Sequence, residues 1–333
     1  MKKRLFCLLL TLCLVLGLVP ATTLAAGESA TAVATAAELT AALADDTIPA
    51  IRLTEDVTVG ATLNVSRTVT LDLDGHVLRY QNTADIGSVL AVSAGGHLTV
   101  RDGNTGGLSH RFTPDADGLW VLNEETGTET VTGGVITGGT GRPRAQSSSG
   151  FCEGGGVYVA SGGMLTMTGG NIVGCTAKIG GGVYVRAESS DANTRFIMTG
   201  GSIAGCVATG NGGGGVGVIG EGVVFRMSGT AAVRDCRSIG MFGDGAGVSV
   251  SPHSTFEMAD RALISGCIAA GDFRADGGGV LLDIGSTLTM SGQARIEDCK
   301  AIFNRANSSA KGGGIYAIAA TTLTMKESAA IRR

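Results

Sequence analysis

The sequence predicts an all-β fold, a right-handed parallel β-helix solenoid with a short N-terminal capping helix, and three observations carry that expectation. The first is a refrain. Gly154-Gly155-Gly156-Val157-Tyr158-Val159 leads into Leu165-Thr166-Met167-Thr168-Gly169-Gly170 and then Ile172-Val173-Gly174-Cys175. Val157 returns as Val183, Val216, Val248, Val280 and Ile315, and Met167 as Met198, Met227, Met258, Met290 and Met325. Cys175 returns as Cys206, Cys236, Cys267 and Cys299, and spacings of 29 to 32 residues dominate the methionine and cysteine series. A fixed period of that size marks a solenoid or array. The second is composition: 55 glycines in 333 residues, 4% aromatics and 16% charged residues. That profile suits short strands and tight turns, because glycine costs about 1 kcal/mol per helix position. The third is alternation. Leu165 and Met167, Phe196 and Met198, Phe225 and Met227, Phe256 and Met258 stand two apart, and Ile172, Ile203, Val233, Ile264 and Ile296 each precede a cysteine by three. Side chains two apart in a strand share a face, so these rows form the core.

Three short strands per coil, paired in parallel with the next coil, build a rod of about 40 Å for eight coils at about 4.8 Å each. Leucine-rich and ankyrin arrays need helical stretches, and a propeller blade takes about 40 residues. Both fit less well.

The elements follow in order. Residues 1–26 read as a secretory signal: Lys2-Lys3-Arg4, an apolar run from Leu5 to Val19, and Thr23-Leu24-Ala25 before the cut. That run is too short to span a bilayer, no second apolar segment occurs, and the mature chain is expected outside the cell, secreted or at its surface. Residues 27–50 hold a capping helix and linker, with Thr35-Ala36-Ala37-Glu38 as a capping box and Leu39, Ala42 and Leu43 as the apolar stripe. Residues 51–333 form the β-helix. Its first strands alternate as Val57/Val59, Leu63/Val65 and Val69/Leu71/Leu73. About eight related coils run from residue 87, anchored at Leu90, Val121, Val157, Val183, Val216, Val248, Val280 and Ile315. Ile331 aligns with Ile296, so the next cysteine falls one position beyond Arg333. A C-terminal coil truncated there is expected to expose an open edge and to promote self-association.

Six cysteines lie beyond the signal, Cys152 and the five of the refrain. Five thiols in one register should point the same way, so a buried free-thiol ladder is favoured over disulfides or a metal.

The run Ile172-Val173-Gly174-Cys175-Thr176-Ala177, followed by Gly181-Gly182-Val183-Tyr184, resembles the paired motifs of the polymorphic outer-membrane proteins. There, phenylalanine-x-x-asparagine precedes a glycine-glycine-aliphatic pair. The run equally resembles the adhesin-like repeat arrays of bacterial surface proteins in the pectin-lyase-like superfamily, and Ala37 to Leu78 resembles their capping region. Cysteine stands here where asparagine is expected, and these 333 residues include no autotransporter barrel. The resemblance implies architecture rather than a specific activity.

The candidate chemistry is sparse. Net charge is -4 without a basic stripe, which argues against nucleic acid. The residues before the glycine triplets include Asp244 and Asp276, which should be neighbours on adjacent coils. Such a pair raises a pKa or recruits a cation such as calcium, the simpler reading being two solvent-facing turn aspartates. Asp72 and Asp74 are the nearest approach to a glycosidase pair, and Asp74-Gly75 reads more simply as a turn. His76, His97, His110 and His253 sit at unrelated registers and assemble no metal site or triad. The outward positions of strand one place Trp120, Tyr158 and Tyr184 on consecutive coils as an exposed aromatic row, a candidate surface for glycans or host and cell-surface proteins, or else a stabilising ladder. The function expected is therefore an exported bacterial surface protein, a rigid stalk or adhesin-like binding surface without catalysis. The alternative is a polysaccharide lyase or glycoside hydrolase.

Overall fold

A computed structural model describes residues 30–333, apart from 105, 145–150, 189–192, 304 and 306–308. The secretory signal with Cys7 and Cys13 lies outside the described residues. Among those described, no helix is long and apolar enough to cross a membrane.

Three parallel sheets wind into a β-solenoid. The first sheet runs through Leu63–Val65, Leu90–Val92, Val157–Val159, Val183–Arg186, Val216–Ile219, Val248–Val250, Val280–Leu282 and Ile315–Ala317, giving eight windings. The second sheet has ten strands, from Thr31–Val33 to Thr322–Met325, and the third has nine, from Val57–Val59 to Ala330–Ile331. Like residues pair in register: Phe196 with Phe225, Phe225 with Phe256, and Met198, Met227, Met258 and Met290 in succession. The phenylalanine rings stack at centroid distances of 4.8 Å, tilted by 10° and 4°. That spacing is the interstrand distance itself, so each ring meets its copy face to face. The Met and Phe rows are buried from Met167 to Met290.

In five successive windings the third strand is followed by a left-handed residue: Gly174, Gly205, Asp235, Gly266 and Asp298 all have φ between 54° and 64°. Glycine and aspartate are among the residues that tolerate this conformation, which explains their exchange at one register. The next residue is the refrain cysteine. Its thiol turns inward and donates to the carbonyl two residues back, at 3.4 Å for Ala204 and 3.3 Å for Arg234. All six cysteines here are free, and only Cys299 is partly exposed. Burial pushes the Cys206, Cys236 and Cys267 thiols well up, while the hydrogen bond from Cys267 holds Cys299 below the ordinary thiol range. Since the thiolate is the nucleophile, a thiol reagent is expected to titrate about one of these six cysteines in the folded protein and all six in denaturant. Rapid labelling of three or more in the folded state would contradict the buried ladder.

The capping helix spans Ala36–Ala44, with both halves of the Thr35–Glu38 capping box formed. Leu39, Ala42 and Leu43 are buried against the first strands. Arg67 fastens its far end: its guanidinium donates to the carbonyls of Leu43 (3.0 Å), Ala42 (2.7 Å) and Ile48 (2.7 Å). Orphan carbonyls at a helix C-terminus are thereby satisfied by a cation.

One expected coil is not a coil. Trp120–Leu122 and Glu129–Thr132 flank Ser109–Pro114 in a separate three-stranded antiparallel sheet. Val121 is therefore not a first-strand anchor. The winding that begins at Leu90 is completed only at Val135–Thr137, which pairs with Val77–Tyr80 before it and Asn171–Val173 after it. Eight windings remain because Leu63–Val65 opens the series in place of Val121. The excursion packs its own small core of Phe112, Trp120, Val131, Val135, Val173 and Ala204. Trp120 lies against Gly205, where a Cβ would run into its ring, and donates its backbone N–H to the Gly205 carbonyl at 3.0 Å. The Gly205→Ala substitution is expected to expel the indole, adding a left-handed penalty of about 1–2 kcal/mol. Trp120 is the single tryptophan, so a red-shifted emission reports the change directly. Unchanged emission would contradict this packing.

Candidate functional site

Side chains that point away from the core on the first sheet do not reach solvent freely, because a second layer covers them. After each cysteine the chain adds a rib: Thr176–Ala177, Val207–Ala208, Arg237–Asp244, Ile268–Asp276 and Lys300–Phe303 pair in a fourth parallel sheet. The first two ribs have two residues each, Arg237–Asp244 has eight and Ile268–Asp276 nine. Between them and the outer face of the first sheet runs a groove of about 370 Å³. Its floor is Tyr184, Gly217, Ser249 and Leu281, one residue from each of four windings; Ile318 extends it to a fifth. Ser251 and Asp283 form one wall, and Asn211, Phe242, Asp244 and Arg274 the other.

This second layer corrects the aromatic row. Trp120 belongs to the antiparallel excursion, and the Arg234 guanidinium lies 4.9 Å from its ring centroid. Tyr158 and Tyr184 are in register on adjacent windings with ring centroids 6.1 Å apart. All three rings are buried rather than exposed. Tyr158 lies under the Arg142 guanidinium at 4.9 Å. Burial, reinforced by the charge of Glu153, pushes the Tyr184 hydroxyl far up. Glu153 is itself buried between Arg144 (3.7 Å) and Arg186 (3.6 Å), and desolvation raises its carboxyl despite them. The two tyrosines with Ala91 form a ladder outside the main core.

The exposed aromatics are elsewhere. Phe242, Phe273 and Phe303 occupy three successive ribs with 36%, 59% and 61% of their surface open, and Met241 beside Phe242 is open as well. Phe242 and Phe273 have centroids 6.5 Å apart. Their sequence spacings of 31 and 30 match those of the cysteines. That periodicity inside loops of varying length is the signal that distinguishes them.

Asp244 and Asp276 are neighbours across adjacent ribs, as their register predicts. They are buried, however, not solvent-facing. The cation between them is Arg274. Its Nε donates to Asp244 Oδ1 at 3.2 Å and lies 3.2 Å from Asp276 Oδ2, its Nη2 donates to Asp244 Oδ2, and its guanidinium stands 5.4 Å from the Phe242 ring centroid. Desolvation raises the Asp276 carboxyl, with Arg274 opposing and Asp244 adding to the shift. Its Oδ1 is buried without a hydrogen-bond partner. No group of three or more His, Cys, Asp or Glu among the described residues is arranged to hold a metal.

The other acids organise turns. Asp72 accepts from the backbone N–H of Gly103 at 2.7 Å and of Asp74 at 3.1 Å, and its Oδ2 lies 2.9 Å from Arg101 Nη2. Asp74 is a left-handed turn residue. His110 bridges Glu124 and the Gly75 carbonyl, each at 2.8 Å, and thereby ties the excursion to the solenoid. Compared with protein-family models, with curated proteins and with solved structures, the chain finds no match in any of the three.

Proposed function

We propose that the chain is an exported bacterial surface protein of the pectin-lyase-like kind, a rigid solenoid whose flank groove binds linear glycan chains in an adhesin-like manner. The observation that carries this reading is the groove, which crosses five windings and so extends about 20 Å along the solenoid axis. A long shallow cleft suits a linear polymer rather than a compact metabolite. Hydroxyls of Ser249 and Ser251, the amide of Asn211 and the carboxylate of Asp283 offer hydrogen-bonding partners for sugar hydroxyls. Phe242 in the lining, with Phe273 next to it at 6.5 Å, offers flat apolar faces. Arg274 engaging both buried aspartates supports binding over the alternative of a lyase or hydrolase, which would need one of those carboxyls free to act.

Binding to an array of linear oligosaccharides is the test. Affinity is expected to rise with chain length up to about five sugar units, one per winding, and to fall at least tenfold on Phe273→Ser with Phe242→Ser. New reducing or unsaturated ends should not accumulate. Binding to no linear glycan, or binding indifferent to both substitutions, would overturn the reading.

The 333 residues as given are also expected to pair with another copy of themselves. Leu323, Met325 and Ile331 occupy core registers on the last winding, yet all three are exposed. The strands that carry them are edge strands of their sheets. Light scattering on this chain is expected to show concentration-dependent association, suppressed by Met325→Lys; a monomer at every concentration would contradict it.

A further inference from the structure

We infer that the groove discriminates by charge, accepting glycans that bear protonated amines ahead of neutral ones and rejecting those that bear carboxylates. The inference rests on the glycan-groove reading. It follows from how the charges facing the groove are committed. Asp244, Asp283 and Arg274 line it; Asp276 is the register partner of Asp244 on the adjacent rib, and the exposed Lys311 is that of Asp276 on the next. Among the described residues, Arg274 is the only cation in the lining. Its Nε and Nη2 are engaged by Asp244 and Asp276, and its plane lies against Phe242. A guanidinium held in this way has little left for the paired recognition of a ligand carboxylate. Lys311, the register partner of Asp276, places its ammonium 5.5 Å from the centroid of the Tyr316 ring.

The acids are less fully committed. Asp276 Oδ1 is buried with no hydrogen-bond partner. Asp283 is half-buried on the opposite wall; its carboxylate accepts from the backbone N–H of Ile284 at 2.7 Å, and among the described residues no salt bridge reaches it. A ligand ammonium lying in the groove meets Asp283 directly and the field of the Asp244–Asp276 pair across from it. A ligand carboxylate meets the same field with the opposite sign and finds no disengaged cation among the lining residues.

The test compares three probes of matched length: glucosamine oligomers with protonated amines, N-acetylglucosamine oligomers, and oligogalacturonate. Calorimetry on the full chain is expected to rank them in that order, with the amine-bearing chain about fivefold tighter than its acetylated form at low salt. The preference should shrink as salt rises. Asp283→Asn, a change on a half-exposed wall residue, should reduce the ratio of the first two affinities to about twofold or less. Equal affinities for the first two probes, tightest binding of the acidic one, or a preference that survives Asp283→Asn would each overturn the inference while leaving glycan binding in place. Failure of all three probes to bind would overturn both. A lysine peptide of equal charge binding more tightly than the glucosamine chain would likewise overturn it, since the occupant would then be a polypeptide.

Discussion

Replacing Phe225 with alanine is expected to destabilise the solenoid by about 3–5 kcal/mol. Phe225 is sandwiched between Phe196 and Phe256, both at 4.8 Å, so its removal strips a neighbour from two rings at once. A fully buried aromatic contributes its transfer free energy, and the cavity left between two stacked rings cannot close without shifting a winding along the axis. Phe225→Leu should lose much less, because this register already accepts leucine as well as phenylalanine: Leu165, Phe196, Phe225, Phe256 and Leu288 are successive partners. The urea midpoint measures both variants. A Phe225→Ala midpoint within error of the parent would mean that the ring is not enclosed.

Arg274→Gln is expected to lower stability by about 2–3 kcal/mol near neutral pH, toward the lower end for removal of one member of a buried ionic group because the guanidinium itself is partly exposed. The two aspartates left behind are buried and adjacent, and glutamine cannot neutralise them. The pH dependence has a definite sign. Desolvation already raises the Asp276 carboxyl above its ordinary value, so the folded chain holds this proton more tightly than the unfolded chain does. Stability from that group is therefore fully present below the unfolded carboxyl range, about pH 4, and declines as pH rises through the raised folded value. Loss of Arg274 removes the one opposing influence of a paired cation on Asp276 that lies in the same rib, which raises the value further. The variant should accordingly recover part of its deficit as pH falls from neutrality to about 4. A deficit that is flat across that range would assign the loss to packing against Phe242 instead.

The winding itself was legible in the sequence because stacking like on like leaves a periodic imprint. Met198, Met227 and Met258 fall at one register in both sequence and structure. The helix was legible from its capping box. The excursion was not, and the reason is local: Val131-Thr132-Gly133-Gly134-Val135-Ile136 does match the refrain, but only its final part belongs to a winding. Glu129 was the discordant mark, since it falls two before Val131, where the refrain places Leu165 two before Met167. Burial of Tyr158 and Tyr184 was hidden for a different reason. Alternation tells which side of a strand a residue takes, not whether another layer covers that side. The Asp244–Asp276 contact followed from register alone, whereas Arg274 did not. A register irregularity after Gly240 places Phe242 opposite Arg274, a pairing that a strict count along the ribs does not give.

In-register stacking is tested most directly by distances along one outward row of the second sheet, where Thr99, Thr166, Ile197, Arg226, Glu257, Thr289 and Thr324 are successive partners. Spin labels placed at Thr99 together with Glu257, Thr289 or Thr324 report four, five and six windings by double electron–electron resonance. The expected separations are about 19, 24 and 29 Å, rising by about 4.8 Å per winding. Distances that fail to rise by a constant step, or that scatter broadly for any pair, would contradict the solenoid on which the groove and its ligand depend.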